Sequence, residues 1–387
     1  MSRRTLTILG ATGSIGRSTL DLIKRNPDRF EVLALTANKD VAGLASAARA
    51  VGAQQAVVAD EALLPDLRAA LEGSGVKASA GDAAVLDAAG GGADWTMAAI
   101  VGAAGLRPVL AALRRGGTVA LANKESLVLA GELMTGIAAA HGTRILPVDS
   151  EHNAIFQCFD PERPASIARI TLTASGGPFR TKTVDEMRAA TPQQAVAHPN
   201  WSMGAKTSVD SATLMNKGLE LIEAFHLFLL PADAFDAVIH PQSIVHSLIE
   251  YVDGSVLAQL AAPDMRIPIA YTLAWPERME TPCERLDLVK TGKLEFEAIE
   301  PERFPAFFLA KAALREGGAK PAILNAANEI AVASFLDNRV GFLDIAAIGG
   351  KTLESFDPLP PATLDEVFEI DREARRVALE ITRTFQR

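Results

Sequence analysis

The chain has 387 residues, of which 49% are hydrophobic and 22% charged, and its formal net charge is −9. This length predicts two or three domains, and the composition is that of a globular protein rather than of a disordered or fibrous one. The negative charge argues against a nucleic-acid partner, which would require a basic face, but not against one anionic metabolite. The longest apolar run is shorter than the roughly 18 residues of a membrane span, so no membrane segment is predicted.

Only two cysteines occur, Cys158 and Cys283, and the chain runs from Met1 almost directly into an apolar strand. Two distant cysteines outside a CxxC pattern predict neither a disulfide framework nor a zinc site. No signal peptide is predicted at the amino terminus. We therefore expect a cytoplasmic protein.

Short apolar strands alternate with helical segments over the first 150 residues. The strands are predicted at residues 5–9, 31–36, 56–59, 95–101, 118–122 and 144–148. This alternation is typical of an α/β fold with a doubly wound parallel sheet, so residues 1–150 are predicted to form a Rossmann-like dinucleotide-binding domain. The loops that follow these strands should open at one carboxyl edge, beginning at Gly10, Ala37, Asn123 and Asp149.

A glycine-rich turn follows the first strand and opens a helix: Gly10-Ala11-Thr12-Gly13-Ser14-Ile15-Gly16. Glycine lets a diphosphate approach the N–H groups and the positive dipole of a helix start. The spacing is looser than the standard dinucleotide fingerprint, and a purely structural turn is the alternative.

The turn after the second strand, Asn38-Lys39-Asp40, contains both a cation and an acid. A cation suits the 2′-phosphate of NADPH, whereas an acid suits the free 2′-hydroxyl of NADH. We expect NADPH, bound through Lys39, with a solvated turn as the alternative.

Polar residues also follow the predicted strand at 118–122. Lys124 could stabilise negative charge on a substrate oxygen, and Glu125 could contact the nicotinamide side of a cofactor. An ion pair at an ordinary helix start would explain the same residues.

Asp149, Ser150 and Glu151 follow the next strand. In an extended chain the two carboxylates would point the same way and could hold one hard divalent cation. A solvated cap is the alternative.

Residues 151–290 have a different pattern, which predicts a mixed α+β catalytic and connective domain. A strand at 167–173 ends at the turn Ser175-Gly176-Gly177-Pro178, which neither a strand nor a helix would tolerate. Two further predicted strands flank Asp253-Gly254, a strong hairpin signal.

A helix is predicted to begin near Ser211 and to continue with apolar residues to Leu227. Helical spacing places Asn216 and Lys217 four and three residues before Glu220, on one face. A polar patch on a buried helix needs a partner, so Glu220 is predicted to be the third carboxylate of the metal site. A surface ion pair is the alternative.

Hydroxyl groups for phosphate binding are expected at Ser175 and Ser211, with Lys217 supplying charge. A structural role in a turn or a helix cap is the alternative for each serine. Trp201 lies among turn-forming residues between His198 and Gly204, which predicts a flexible lid at about 198–208 that excludes water from the ligand. A tryptophan packed on a neighbouring domain is the alternative.

The remainder of the chain is predicted to be helical, at residues 306–315, 322–336 and 364–385. Thr363 and Glu366 form a predicted capping box before the last helix. Residues 291–311 are assigned as a linker and 312–387 as a C-terminal helical domain that acts as a buttress.

Seven motifs resemble, in the same order, those of the 1-deoxy-D-xylulose 5-phosphate reductoisomerase family: GATGSIG, LANKES, PVDSEH, LTASGGPF, HPNWSMGAKTSVDSATLMNKGLE, HPQSIVHS and LNAANEIAV. The resemblance covers essentially the whole chain. It implies rearrangement of 1-deoxy-D-xylulose 5-phosphate and its reduction with NADPH to 2-C-methyl-D-erythritol 4-phosphate, in non-mevalonate isoprenoid precursor biosynthesis. It also implies Mg²⁺, Mn²⁺ or Co²⁺ as cofactor, a phosphorylated ketose as the small-molecule partner, and a homodimer.

The resemblance further implies roles for individual residues. Metal ligands are expected at Asp149, Glu151 and Glu220, which with Lys124 form the catalytic set. Substrate contacts are expected at Lys124, Ser150, Glu151, Ser175, His198, Trp201, Met203, Ser211, Asn216, Lys217 and Glu220. Cofactor contacts are expected at Thr12, Gly13, Ser14, Ile15, Asn38, Lys39, Asp40, Asn123, Glu125 and Gly204. The family often has Gly-Lys/Arg-Asn where this chain has Asn38-Lys39-Asp40.

Two other functions remain as alternatives. An NADP-dependent dehydrogenase of another phosphorylated hydroxy-ketone would turn over without a divalent ion. A nucleotide-sensing protein would bind NADPH without oxidising it.

Overall fold

The computed structural model describes residues 3–199 and 203–385. Contacts divide the chain into two compact units. The first unit is assembled from three segments, Met1–Ser126, Met134–Asn153 and Asp264–Cys283, and the second from Leu127–Leu133, Ala154–Pro263 and Glu284–Arg387. The functional division predicted from the sequence, with boundaries after residues 150, 290 and 311, stays a prediction.

The first unit is built on a seven-stranded parallel sheet, as the alternating pattern predicts. Its strands are β1 (Arg4–Leu9), β2 (Phe30–Ala37), β3 (Gln55–Val58), β4 (Lys77–Ala80), β5 (Trp95–Ala98), β6 (Thr118–Leu121) and β7 (Arg144–Pro147). Six were predicted; β4 was not. The helices are α1 (Ser14–Arg25), α2 (Val41–Val51), α3 (Leu64–Ala70), α4 (Asp82–Ala89), α5 (Leu106–Arg115), both ends of α6 (Lys124–Ala140), the start of α7 (Ser150–Cys158) and α12 (Arg266–Ala274). This is the predicted α/β, Rossmann-like architecture.

The strand order of this sheet is β4-β3-β2-β1-β5-β6-β7. The chain therefore proceeds outward from β1 to one edge and then returns to place β5 on the other side of β1. Loops diverge at such a switch point, and ligands of doubly wound sheets bind there, outside the carboxyl ends of the strands. The turn at Gly10 follows β1 at this position.

The core of the first unit explains why a late segment of the chain belongs to it. Leu6, Ile8 and Trp95 are fully buried in the sheet. The Trp95 indole N–H donates to the carbonyl of Thr272 at 3.0 Å, so α12 packs on this sheet and both buried polar groups are satisfied.

The second unit contains a four-stranded mixed sheet with the order β11-β10-β8-β9. Its strands are β8 (Ile167–Ala174), β9 (Phe235–Ile239), β10 (Val245–Tyr251) and β11 (Val256–Leu260). β8 and β9 are parallel, whereas β10 is antiparallel to both β8 and β11. The predicted β10–β11 hairpin is confirmed, with Gly254 at a φ of 84°.

Helices make up the rest of the second unit. They are the end of α7, α8 (Val184–Arg188), α9 (Pro192–Ala195), α10 (Ala205–Thr213), α11 (Met215–Phe228), α13 (Leu288–Thr291), α14 (Pro305–Glu316), α15 (Lys320–Leu336), α16 (Asp344–Ser355) and α17 (Leu364–Arg383). The capping box at Thr363 and Glu366 is present. A cluster of buried aromatic residues holds these helices together: Phe304, Phe307, Phe335 and Phe342. Among the described residues, no helix combines the length and apolarity needed to cross a bilayer.

Candidate functional site

The turn after β1 is shaped to receive a diphosphate. Gly10 has a φ of 85°, and a Cβ there would lie 2.6 Å from the carbonyl oxygen of Ala99, so the site accepts only glycine. Helix α1 starts at Ser14, and its N-cap, Gly13, provides no side-chain cap. Gly13 and Ser14 are exposed, and Thr12 and Ile15 are half-buried. The first N–H groups of α1 therefore offer the donor set that suits an anion.

In the turn after β2, the acid and the cation that the sequence offered for the cofactor ribose have different surroundings. The Asp40 Oδ1 accepts from the N–H of Gly43 at 2.9 Å and caps helix α2. Lys39 is 72% exposed, and its Nζ lies 3.8 Å from Asp60. An exposed pair at that distance is weak, so Lys39 is the group of this turn that suits a phosphate.

The loop after β6 is anchored by Asn123. Its Oδ1 accepts from the N–H of Ser126 at 2.7 Å, which caps α6, and its Nδ2 donates to the carbonyl of Gly102 at 3.0 Å. These bonds use both ends of the Asn123 amide and fix the start of α6, whose first two residues are Lys124 and the buried Glu125.

Asp149 and Glu151 do not lie on an extended chain, and that part of the prediction is wrong. Helix α7 begins at Ser150, and the N–H of Asn153 bonds to the carbonyl of Asp149 at 2.9 Å. The side chain of Asn153 also donates to the carbonyl of Pro147 at 2.9 Å, which supports this tight start. Glu151 therefore lies in the first turn of a helix, where the dipole favours an acid, and the Ser150 hydroxyl donates to its carboxylate.

Lys124 and Asp149 form a half-buried ion pair, with Nζ 2.7 Å from Oδ2. Burial alone would raise the pKa of Asp149, but the charges of Lys124 and His152 and the hydrogen bond from Lys124 outweigh it, so the pKa lies well below its usual range. Asp149 is thus ionised at neutral pH, which is the state in which a carboxylate can coordinate a hard cation.

In the second unit, the helix predicted from Ser211 onward is two helices. Leu214, with a φ of 58°, separates α10 from α11. Within α11 the predicted face is confirmed, because Asn216 and Lys217 both donate to the Glu220 carboxylate. The side chains of Lys217 and Glu220 are only 3% and 1% exposed. A buried carboxylate therefore accepts from two adjacent donors of its own helix.

Ser175 and Ser211 lie at neighbouring points of the same unit. The Ser175 hydroxyl is 2.8 Å from His198 Nε2 and accepts from the N–H of Gly177 at 3.1 Å. Gly177 has a φ of 62°, and a Cβ there would lie 2.9 Å from the carbonyl oxygen of Ser211. Burial lowers the pKa of His198, so its imidazole is neutral at physiological pH and can exchange hydrogen bonds with Ser175.

The predicted lid is partly described. Met203 is half-buried, and Gly204 is exposed and is the N-cap of α10 without a side-chain cap. Trp201 lies outside the described residues.

A buried hydrogen-bonded pair in the second unit, Asp210 and Asn328, was not predicted from the sequence. The signal that could have indicated Asn328 is an asparagine inside the apolar run of LNAANEIAV.

Comparison with known proteins confirms the resemblance. The family model for 1-deoxy-D-xylulose 5-phosphate reductoisomerase matches residues 6–131, and models of its C-terminal domains match residues 145–228 and 260–377. The reductoisomerase of Zymomonas mobilis is 61% identical over 372 residues, 96% of each chain. That of Rhodospirillum centenum is 58% identical over 378 residues, 98% of this chain and 94% of the relative.

Solved structures agree with these matches. The Zymomonas mobilis reductoisomerase in complex with NADPH has a TM-score of 0.95 and 59% identity, with 98% of this chain and 99% of that chain covered. A DOX-P reductoisomerase in complex with NADPH, fosmidomycin and magnesium has a TM-score of 0.93 and 42% identity, with 98% of both chains covered. The chain therefore belongs to the 1-deoxy-D-xylulose 5-phosphate reductoisomerase family.

Proposed function

We propose that this enzyme converts 1-deoxy-D-xylulose 5-phosphate to 2-C-methyl-D-erythritol 4-phosphate with NADPH and a divalent cation, in isoprenoid precursor biosynthesis. The observation that carries the proposal is Glu220, a buried carboxylate fixed by Asn216 and Lys217. It lies on the helix that follows the Ser211 segment, in the unit that also contains Ser175 and His198. The proposed reaction is that of the family to which the chain belongs, and these groups suit it.

We propose Asp149, Glu151 and Glu220 as the metal ligands. All three offer carboxylate oxygens, which suit Mg²⁺ or Mn²⁺ rather than a soft metal. Asp149 is ionised beside Lys124, and each carboxylate oxygen of Glu220 carries two lone pairs, so it can accept from a donor and still bind a cation. A bound cation would polarise the substrate carbonyl and acidify the adjacent hydroxyl.

The chain's own residues would bind, orient and shield the substrate. We assign the phosphate to Ser175, Ser211, Asn216 and Lys217, with His198 holding the Ser175 hydroxyl. Lys124 and Ser150 would contact substrate oxygens, and Lys124 would stabilise negative charge that develops there. Remote phosphate binding would hold the reacting atoms in line, and a lid at 198–208 with Trp201 and Met203 would exclude water.

The dinucleotide would lie at the carboxyl edge of the parallel sheet. We assign its diphosphate to the start of α1, at Thr12, Gly13, Ser14 and Ile15, and its 2′-phosphate to Lys39. Asn38 and Asp40 flank that lysine. Asn123, Glu125 and Gly204 complete the assigned set; for Asn123, the side-chain bonds that fix its loop support a role in shaping the site.

We further propose a cytoplasmic homodimer. Cys158 and Cys283 are not joined by a disulfide, which suits a reducing compartment. β11 is an edge strand of its sheet and exposes Val256 and Leu257 by about half, at 52% and 49%. An apolar edge is a template for pairing with a second copy. Light scattering should report a dimer for the wild type and a monomer for Leu257→Lys; a monomeric wild type would contradict the proposal.

The reaction is tested by mixing the purified chain with NADPH, Mn²⁺ and 1-deoxy-D-xylulose 5-phosphate and following the loss of NADPH absorbance. We expect oxidation that requires all three additions and stops with EDTA. Turnover that resists EDTA would instead identify a metal-independent dehydrogenase. NADPH binding without oxidation would identify a sensing protein.

A further inference from the structure

Helix α15 carries two fully buried asparagines that have different partners. Asn325 donates to Glu329, on the same helix, at 3.1 Å. Asn328 donates to Asp210 Oδ1, on α10, at 2.7 Å. The Oδ1 atoms of both asparagines are buried with no hydrogen-bond partner among the described residues. Burying an amide that is only half satisfied costs free energy, so an apolar residue would serve better at Asn328 if packing were its only role.

Asp210 is the reason for the amide at position 328. Its side chain is 2% exposed, and its other oxygen, Oδ2, lies 2.9 Å from Lys206 Nζ. A buried carboxylate is tolerated only when it is paired and hydrogen-bonded. Lys206 and Asn328 supply these two partners, one from the start of α10 and one from α15.

The position of Asp210 determines the position of Ser211. Ser211 is the next residue of α10, and its carbonyl lies against the backbone of Gly177, in the turn that carries Ser175. Helix α10 is short, because it ends two residues later, at Thr213, and Leu214 then adopts a left-handed backbone conformation. The Asp210–Asn328 bond is therefore a specific restraint on the rotation of α10 about its axis.

We propose that Asn328 is a positioning residue for substrate phosphate: through Asp210 it holds α10 so that Ser211 faces the phosphate. The proposal rests on the proposed function, in which Ser211 binds that group. The C-terminal helical segment, predicted from the sequence to be a buttress, then contributes to substrate affinity.

Asn325→Ala is a matched control for Asn328→Ala. The two variants remove the same side chain from the same helix at equal burial, and each deletes one hydrogen bond. We expect Asn328→Ala to raise the KM for 1-deoxy-D-xylulose 5-phosphate by about tenfold, as for loss of part of a charge-assisted hydrogen bond. The KM for NADPH should not change, and Asn325→Ala should leave both KM values within about twofold of wild type. Equal KM effects of the two alanine variants, or none for Asn328→Ala, would overturn the proposal.

Two further variants keep the test decisive. If Asn328→Ala fails to fold, Asn328→Ser, which is too short to reach Asp210, is judged by the same KM criterion. The exchange Asp210→Asn with Asn328→Asp restores one amide–carboxylate bond and should recover most of the lost substrate affinity. A folded exchange variant whose KM stays as high as that of Asn328→Ala would overturn the proposal.

A parallel Ser211→Ala measurement separates this inference from the function on which it depends. If Ser211→Ala raises the substrate KM and Asn328→Ala does not, the positioning role is wrong and the proposed function stands. If the wild type does not oxidise NADPH with this substrate, the proposed function is wrong, and the positioning role falls with it.

Discussion

Replacing Lys217 by Met should destabilise the metal-free protein strongly. The change removes the ammonium group that bonds to Glu220 while keeping most of the side-chain volume. Since both side chains are almost fully buried, at 3% and 1% exposure, the Glu220 carboxylate would lose its countercharge in an apolar helix. Breaking a buried pair from one side costs about 3–5 kcal/mol, whereas Lys217→Met with Glu220→Gln removes both charges and should restore most of that loss.

The measurement is chemical unfolding in EDTA, followed by circular dichroism. The matched control is Lys182→Met, which breaks an exposed Lys–Glu pair of comparable spacing and should leave the midpoint unchanged. Saturating Mn²⁺ should reduce the loss in Lys217→Met, because a cation bound to Glu220 supplies the missing charge. If Lys217→Met unfolds at the same midpoint as Lys182→Met, the buried charge pair does not exist as described.

Four other substitutions have distinct expected effects. Glu220→Gln should abolish turnover without changing the Kd for NADPH; a large loss of NADPH affinity would place Glu220 elsewhere. Lys39→Ala should raise the Kd for NADPH by about tenfold and leave that for NADH unchanged, as measured by fluorescence; equal losses would remove Lys39 from the 2′-phosphate site. Gly177→Ala should raise the substrate KM, because its Cβ would press on the Ser211 carbonyl at 2.9 Å; unchanged kinetics would contradict that contact. Burial lowers the pKa of His226 to about 4, so the unfolded chain takes up the proton first, near pH 6.5. The free energy of unfolding is therefore unaffected by this proton above about pH 6.5 and falls as the pH drops towards 4. His226→Gln should flatten this pH dependence of the free energy of unfolding, measured by urea titration, and an unaltered pH dependence would exclude His226 as its source.

The parallel sheet could be predicted because each of its central strands is a short apolar run between turn residues. β4 could not, since its four residues, Lys77 to Ala80, are only partly buried or exposed at the edge and lack the apolar pattern. Likewise, nothing in the local sequence marks the left-handed conformation of Leu214 that divides α10 from α11, because tertiary packing selects that backbone state.

Residue identities at the site could be predicted better than their local geometry. The face formed by Asn216, Lys217 and Glu220 follows from helical spacing alone. The sequence predicted an extended chain at Asp149–Glu151, whereas helix α7 begins at Ser150. The hydrogen bond from the Asn153 side chain to the Pro147 carbonyl favours this helical start over a continued strand. The pair of Asp210 and Asn328 spans 118 positions, and a pairing at that separation has no periodic signal.

We propose that Asp149, Glu151 and Glu220 together hold one divalent cation. Titration of the purified protein with Mn²⁺, with the free ion followed by electron paramagnetic resonance, measures this binding. We expect one tight site in the wild type and at least about a hundredfold weaker binding in each of Asp149→Asn, Glu151→Gln and Glu220→Gln. Wild-type Mn²⁺ affinity in any one of the three variants, with the protein folded, would contradict the claim.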